Sequence, residues 1–349
     1  MRGIRWAAAL AVGALALSAC GNKGDDNNDN GGGKSSVKVG MAYDVGGRGD
    51  KSFNDSAATG LDKAKSQLKV QAQEVSPNQQ ATDRSERLKQ LVEGSFNPVI
   101  GVGFAWSNDL DAIAKANPKT YFAIVDDNSH LEPNVANLVF TEEQGSYIVG
   151  VAAALKSKTK HVGFIGGVKS DLIAKFEAGY VAGVHSVDPN IKVDITYLST
   201  PPDFGGFNAP DKAKVAAQGM YDNGADVIYH AAGKSGPGLF DAAVDTRKQG
   251  KEVWAIGVDS DQYLTATADQ QKVILTSMVK RVDVAVYDYI KSYVDKKPLT
   301  GEQRFSLKDG GISYATSGGY IDDIKDKLEK AKQDIIDGKI TVPTKPAGS

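Results

Sequence analysis

From residue 37 onward, short apolar runs rich in β-branched side chains alternate with longer stretches whose apolar positions recur every three to four residues. The short runs, at 37–43, 70–75, 98–104, 120–125, 135–140, 161–165, 192–198, 226–230, 253–258 and 273–276, predict strands. The longer ones, at 85–92, 109–116, 143–155, 169–187, 212–221, 239–249 and 279–294, predict helices. In the last of these, Val279, Val282, Val286, Tyr289 and Ile290 form a single apolar stripe. Runs such as Phe122-Ala123-Ile124-Val125 are apolar throughout, and only a sheet covered by helices on both faces buries such a strand. The predicted class is therefore α/β with doubly wound parallel sheets. Sheets of this kind carry their binding groups in loops beyond the strand C-termini. About 313 residues take part, more than one hydrophobic core usually organises, so two domains are expected.

The N-terminal residues follow another pattern. Arg2 and Arg5 precede an apolar run at 6–17, and the segment closes on Leu17-Ser18-Ala19-Cys20. A charged start, a short apolar core and small residues before a cleavage point predict a signal peptide over 1–20. The run is too short to span a bilayer as a helix. Leu-Ser-Ala-Cys resembles a bacterial lipobox, and Cys20 is the only cysteine, so lipidation is expected there with a membrane anchor on the extracytoplasmic face. Residues 21–36 carry no apolar side chain and predict a flexible tether. With Cys20 consumed, neither a disulfide nor a cysteine metal site is available. No cofactor is called for.

Formal net charge is −2 and becomes −4 once Arg2 and Arg5 leave. Basic residues are scattered among acidic ones without an arginine-rich stripe, which argues against nucleic acid as a partner.

Five predicted strands end in the residues that a crevice needs. Asp44 follows Tyr43, Asp126 and Asp127 follow Val125, and Gly166-Gly167 follow Ile165; Ala231-Ala232-Gly233 follow His230, and Asp259-Ser260-Asp261 follow Val258. Each alone could be a turn glycine or a helix cap. Repeated at one structural position, they read as a single pocket fed from two sheets.

The segments Asp50-Lys51-Ser52-Phe53-Asn54-Asp55, Phe122-Ala123-Ile124-Val125-Asp126-Asp127, Glu143-Gln144-Gly145-Ser146-Tyr147, His161-Val162-Gly163-Phe164-Ile165-Gly166-Gly167, Lys175-Phe176-Glu177-Ala178-Gly179-Tyr180 and Gly257-Val258-Asp259-Ser260-Asp261-Gln262 resemble the signature segments of the basic membrane protein family, which includes the PnrA-like purine nucleoside receptors. The similarity runs over about 37–320 in family order. It implies a type I periplasmic-binding-protein fold with two lobes joined by three crossovers, near 140–143, 276–279 and 305–311. Lobe one would then hold 37–140 plus 279–305, lobe two 141–278 plus 306–340, and 341–349 would be a frayed tail.

The resemblance also implies a lipid-anchored, monomeric substrate-binding protein of an ABC importer. Its partners would be the permease subunits and its ligand a purine nucleoside such as guanosine, inosine or adenosine. A flat base needs an aromatic platform, which by similarity is Phe53 on one face and Tyr229 or His230 on the other; strand alternation lets only one of the latter two face the cleft. The base edge needs fixed polar partners, for which Asn54 and a carboxylate at Asp126 or Asp127 are suited. The ribose needs a carboxylate facing its vicinal hydroxyls, a role that fits Asp259. Lys280, at the expected start of the helix after 275–278, matches the family's ribose-contacting lysine and could neutralise Asp259. Asp44 and Gly233 complete the expected ligand-binding set.

Catalysis finds little support. Ser235 within Gly233-Lys234-Ser235-Gly236 forms neither a nucleophile elbow nor a phosphate loop, and His130, His161, His185 and His230 lack zinc-site spacing. An acidic nucleoside-hydrolase cluster of Asp44, Asp126 and Asp259, or a surface adhesin using the lobes as a scaffold, suits the pattern less well. The main competitor is a type I receptor for another small solute, a sugar or an autoinducer, because fold alone does not choose the ligand.

Overall fold

The apolar runs form strands that are buried at nearly every position except in the two outer strands at 71–75 and 192–199, and the amphipathic stretches wrap them. The computed structural model describes residues 37–348 apart from 79, 80 and 131. The expected signal peptide, Cys20 and the tether lie outside the described residues. The first sheet is built from β1 (Lys38–Ala42), α1 (Phe53–Leu68), β2 (Gln71–Val75), α2 (Arg84–Glu93), β3 (Val99–Val102), α3 (Ser107–Ala116), β4 (Phe122–Val125) and β5 (Val135–Phe140). The second is built from α4 (Glu142–Lys156), β6 (His161–Val168), α5 (Asp171–Val187), β7 (Lys192–Ser199), α6 (Pro210–Asp222), β8 (Val227–Ala231), α7 (Gly236–Lys248), β9 (Trp254–Asp259), α8 (Ala268–Gln271) and β10 (Ile274–Lys280). The chain then adds α9 (Val282–Val294) and β11 (Gly301–Phe305) to the first lobe, and β12 (Ile312–Tyr314) and α10 (Lys325–Ile336) to the second.

Each sheet has six strands, in the orders β11-β5-β4-β3-β1-β2 and β12-β10-β9-β8-β6-β7. Every pairing is parallel except β10 with β12. The two orders are the same doubly wound plan, and each reverses direction at its first strand, β1 or β6. A crevice opens at such a switch point, beyond the strand C-termini.

The chain passes between the sheets after β5, after β10 and between β11 and β12, so all three passages lie at one edge of each sheet. Backbone bonds tie them together: Thr141 N donates to Phe305 O (3.0 Å) and Arg281 N to Gly311 O (2.9 Å).

The structure departs from the sequence pattern in four places. β6 runs on to Val168, so Gly166 and Gly167 lie inside a strand; a Cβ there would come within 2.5 Å of the Tyr197 ring and 2.4 Å of the Phe207 ring. These glycines make room for aromatic rings instead of permitting a turn. β10 runs on to Lys280, which places Val279 in a strand and moves the second passage to the residues around 281. β11 and β12 were not expected, because Gly-Glu-Gln-Arg-Phe and Ile-Ser-Tyr are short, largely polar edge strands. At the C-terminus Val342 is buried with the core, where a frayed tail was expected.

Candidate ligand-binding site

The loop after β1 is wound around one buried carboxylate. Asp50 accepts from the backbone N–H groups of Ser52 (2.9 Å), Asn54 (2.7 Å) and Asp55 (3.0 Å), which fixes the entry to α1 and presents Phe53 and Asn54 from its first turn. Asn54 Oδ1 accepts from Asp44 N (3.0 Å), and Asp44 Oδ1 accepts from Val45 N (2.7 Å). Asp126 follows β4, Asp259 ends β9 and Lys280 ends β10. Both aspartates adopt left-handed backbone, with φ of 68° and 64°. Residues other than glycine rarely hold that conformation, which clusters at functional sites.

These groups line one cavity between the lobes, with about 510 Å³ of empty space when its opening to solvent is included. The first lobe contributes Asp44, Val45, Asp50, Phe53, Asn54, Gly103, Phe104 and Asp126. The second contributes Leu172, Ile173 and Phe176 from α5, together with Phe207, Ala231, Gly233, Lys234, Val258 and Asp259, and Lys280 joins them at the second passage. The lobes are in contact around it: Ser52 Oγ donates to Asp259 Oδ2 (2.9 Å), and Lys234 Nζ to Gly46 O (3.0 Å).

Charge is concentrated at one end. Lys280, with 2% of its surface exposed, donates from Nζ to Asp126 Oδ2 at 2.6 Å and lies 3.5 Å from Asp259 Oδ1. The rings of Phe53, Phe140 and Phe176 surround the same ammonium, with centroids 4.6, 5.4 and 5.4 Å away. Behind it is Glu142, 1% exposed, in the first turn of α4. Burial opposes the ammonium charge, but Asp126, Asp259 and Glu142 together outweigh it and hold Lys280 above the usual lysine range. A second ammonium, that of Lys175, stands 3.7 Å from Glu142 Oε2, so two cations face three carboxylates. Accordingly burial raises Asp126 against the pull of Lys280, and burial followed by Asp126 pushes Glu142 up to about 7. At the other end, burial pushes Asp44 up to about 6. Asp126 Oδ1 and Asp259 Oδ1 have no hydrogen-bond partner among the described residues, and buried polar atoms of this kind call for one.

Seven of the ten residues expected in the site, Asp44, Phe53, Asn54, Asp126, Gly233, Asp259 and Lys280, line this cavity. Three do not. Asp127 Oδ1 accepts from Ser129 N and Oγ (both 2.6 Å) and closes a turn. Tyr229 is fully buried, its hydroxyl 3.3 Å from Ser146 Oγ and its ring against Phe164 and Tyr180. His230 is fully buried on the opposite face, with Nε2 2.9 Å from Gln262 Oε1 and its ring against Phe240; burial lowers it to about 4, so it is neutral at physiological pH. The alternation of Tyr229 and His230 is real, but both faces of β8 are covered by helices, so neither ring reaches the crevice. Phe176, Phe104 and Phe207 supply the second aromatic wall instead. Phe176 lies in the segment Lys175–Tyr180 that carries the family resemblance, where it could have been picked out. The sequence also paired Lys280 with Asp259, whereas its closest partner is Asp126.

Residues 37–345 match the family described as ABC transporter substrate-binding protein, PnrA-like. The chain belongs to this PnrA-like family. It is 38% identical over 347 residues to the CD4+ T-cell-stimulating antigen of Listeria innocua, covering 95% of each chain. It is 36% identical over 349 residues to the ABC transporter nucleoside-binding protein BmpA of Lactococcus lactis subsp. cremoris, covering 97% of each. Among solved structures, an ABC transporter solute-binding protein from Aeropyrum pernix superposes with a TM-score of 0.78 at 27% identity, over 88% of this chain and 93% of that one. A PnrA-like protein is the substrate-binding component of an ABC transporter, not an enzyme, and the cavity between the lobes is built for that task. Its acids are partnered by a fixed ammonium and buried among phenylalanine rings, an arrangement suited to holding hydroxyl groups and a flat apolar face.

Proposed function

We propose that this protein captures purine ribonucleosides in the interlobe cavity and delivers them to the permease of an ABC importer. The observation that carries the reading is the pair of carboxylate oxygens, Asp126 Oδ1 and Asp259 Oδ1, without hydrogen-bond partners among the described residues on either side of Lys280, which reaches the second only as an ion pair at 3.5 Å. Two acceptors beside one donor suit a vicinal diol, whose hydroxyls donate to carboxylates in charge-assisted bonds. Asp126 is thereby assigned with Asp259 to the ribose end, whereas the sequence alone suggested the base edge for it. Phe53 and Phe176 supply faces for a purine, and Asn54 with Asp44 supplies its polar edge. The nucleoside-binding name of the Lactococcus relative supports the same ligand class. Acylation of Cys20 would hold the receptor at the membrane, with residues 21–36 as spacer.

The test is competition calorimetry against bound inosine. Guanosine, inosine and adenosine bind ahead of their free bases, which forfeit the diol contacts. The monophosphates bind last, because Lys280 is already shared between two carboxylates and a phosphate adds about −1.5 to −2 charges. Native mass spectrometry of protein purified without refolding should show a retained nucleoside. A retained hexose, or monophosphates binding as tightly as nucleosides, would overturn the proposal.

A further inference from the structure

At the cavity rim one cation is buried without the partners that a buried cation needs. Arg84, the first residue of α2, is 8% exposed, and its Nε and Nη2 have no hydrogen-bond partner among the described residues. The guanidinium carbon lies 4.7 Å from the Phe204 ring centroid and 6.0 Å from that of Trp106. Phe204 belongs to the second lobe, in the segment between β7 and α6, and it also meets Phe104 of the first lobe, 6.0 Å between centroids. Arg84 follows β2 and Phe204 follows β7. These are the outer strands of the two sheets, at the edges opposite the three passages. The contact therefore joins the lobes on the side that must part when the cleft opens.

The surroundings satisfy the face of this guanidinium but not its edge. Ring stacking engages the π face, yet the N–H groups lie in the guanidinium plane and those of Nε and Nη2 are dry. The nearby acids attract it without bonding to it: Asp44, which accepts from Val45, then Asp109, then Asp83, which pairs with Arg87 (2.9 Å). A positive charge in the first turn of a helix is also disfavoured by the helix dipole. Water satisfies the same N–H groups once the lobes separate. A buried charge lacking its hydrogen bonds costs more than stacking returns.

We propose that Arg84 opposes closure: carried into the lobe interface with two N–H groups that have no hydrogen-bond partner among the described residues, it keeps the ligand-free cleft open and limits how tightly the loaded state is held. It is a positioning residue that acts through Phe204 and Phe104, not a ligand contact, and it gives an importer a receptor that lets go. The affinity part of the proposal rests on the nucleoside reading; the opening part does not.

The test uses the full-length chain in detergent. Arg84→Met keeps an unbranched side chain that packs on Phe204 through its thioether and removes the unpaired donors. Inosine should bind about tenfold more tightly, mainly through slower dissociation. Without ligand, backbone amides at 204–208 and 84–93 should exchange hydrogen more slowly than in the wild type. Arg84→Gln, smaller and neutral, guards against a packing defect and should tighten binding by a smaller factor. Tightening in at least one folded variant, together with slower ligand-free exchange, supports the proposal. Equal or weaker binding in both variants, or exchange that is unchanged or faster, overturns it. If the wild type binds no nucleoside, the nucleoside reading fails, and the ligand-free exchange comparison alone still decides the role of Arg84.

Discussion

Lys280 sits between carboxylates from both lobes, and the chemistry of the cavity follows from that placement. Replacing Asp259 with Asn keeps an acceptor but loses its charge, so nucleoside affinity should fall about tenfold to a hundredfold by calorimetry, the worth of one hydrogen bond to a charged group. Asp127→Asn, a turn residue outside the cavity, should leave affinity within about twofold. Glu142 gives the pH prediction. Its carboxyl is raised from 4.5 to about 7, so the folded state holds this proton more tightly than the unfolded chain does. Unfolding then releases a proton between those values, and stability falls as pH rises from about 4.5 through about 7. Thermal unfolding at fixed ionic strength should therefore decline more steeply with pH in the wild type than in Glu142→Gln; parallel curves would count against it. At this scale the acids were legible because they end strands, where a doubly wound sheet gathers its binding groups, whereas Lys280 was picked out by the family resemblance alone and its place in a strand was not. The second aromatic wall was not legible. Tyr229 and His230 also sit at a strand end, but their burial depends on helices packed over both faces of β8, which strand alternation alone does not reveal.

Among the elements, those with continuous apolar runs were the most readable, because burial on both faces leaves the chain few other options. The misses share one cause, a fold feature carried by partners distant in sequence. β11 pairs with β5 and β12 with β10, so their backbones find bonds without an apolar pattern of their own. The packing of α4 on α5 was equally hidden. A Cβ on Gly183 would stand 2.1 Å from Tyr147 O, and one on Gly150 would stand 2.3 Å from Tyr180 O, so the helices touch backbone to backbone. Gly183→Ala should cost about 1–3 kcal/mol of stability in denaturant titration, the usual penalty of overpacking. A cost near zero would mean that the helices slide apart freely.

On the scale of the whole molecule, a ligand that binds only the folded state shifts unfolding by mass action. A nucleoside at 100 times its Kd adds about 2.7 kcal/mol, which scanning calorimetry reads as a rise of several degrees. A purine base at the same concentration should give a smaller rise, and an equal rise would show that the sugar contributes nothing.

The three passages cross at one edge of both sheets, and a body turning about such an axis moves each of its points in proportion to its distance from that axis. Lys280 is one residue from the passage at Arg281, so it scarcely travels. Phe204 follows the far edge strand, five strands and about 24 Å away at the usual strand spacing, and sweeps the longest arc. The end of the cavity with Lys280 and Asp126 is thus a fixed berth present at every opening angle, while the rim is a moving gate. On the proposed function, a nucleoside would moor first at the berth by its hydroxyls, and the swing of the gate would decide afterwards how long it stays.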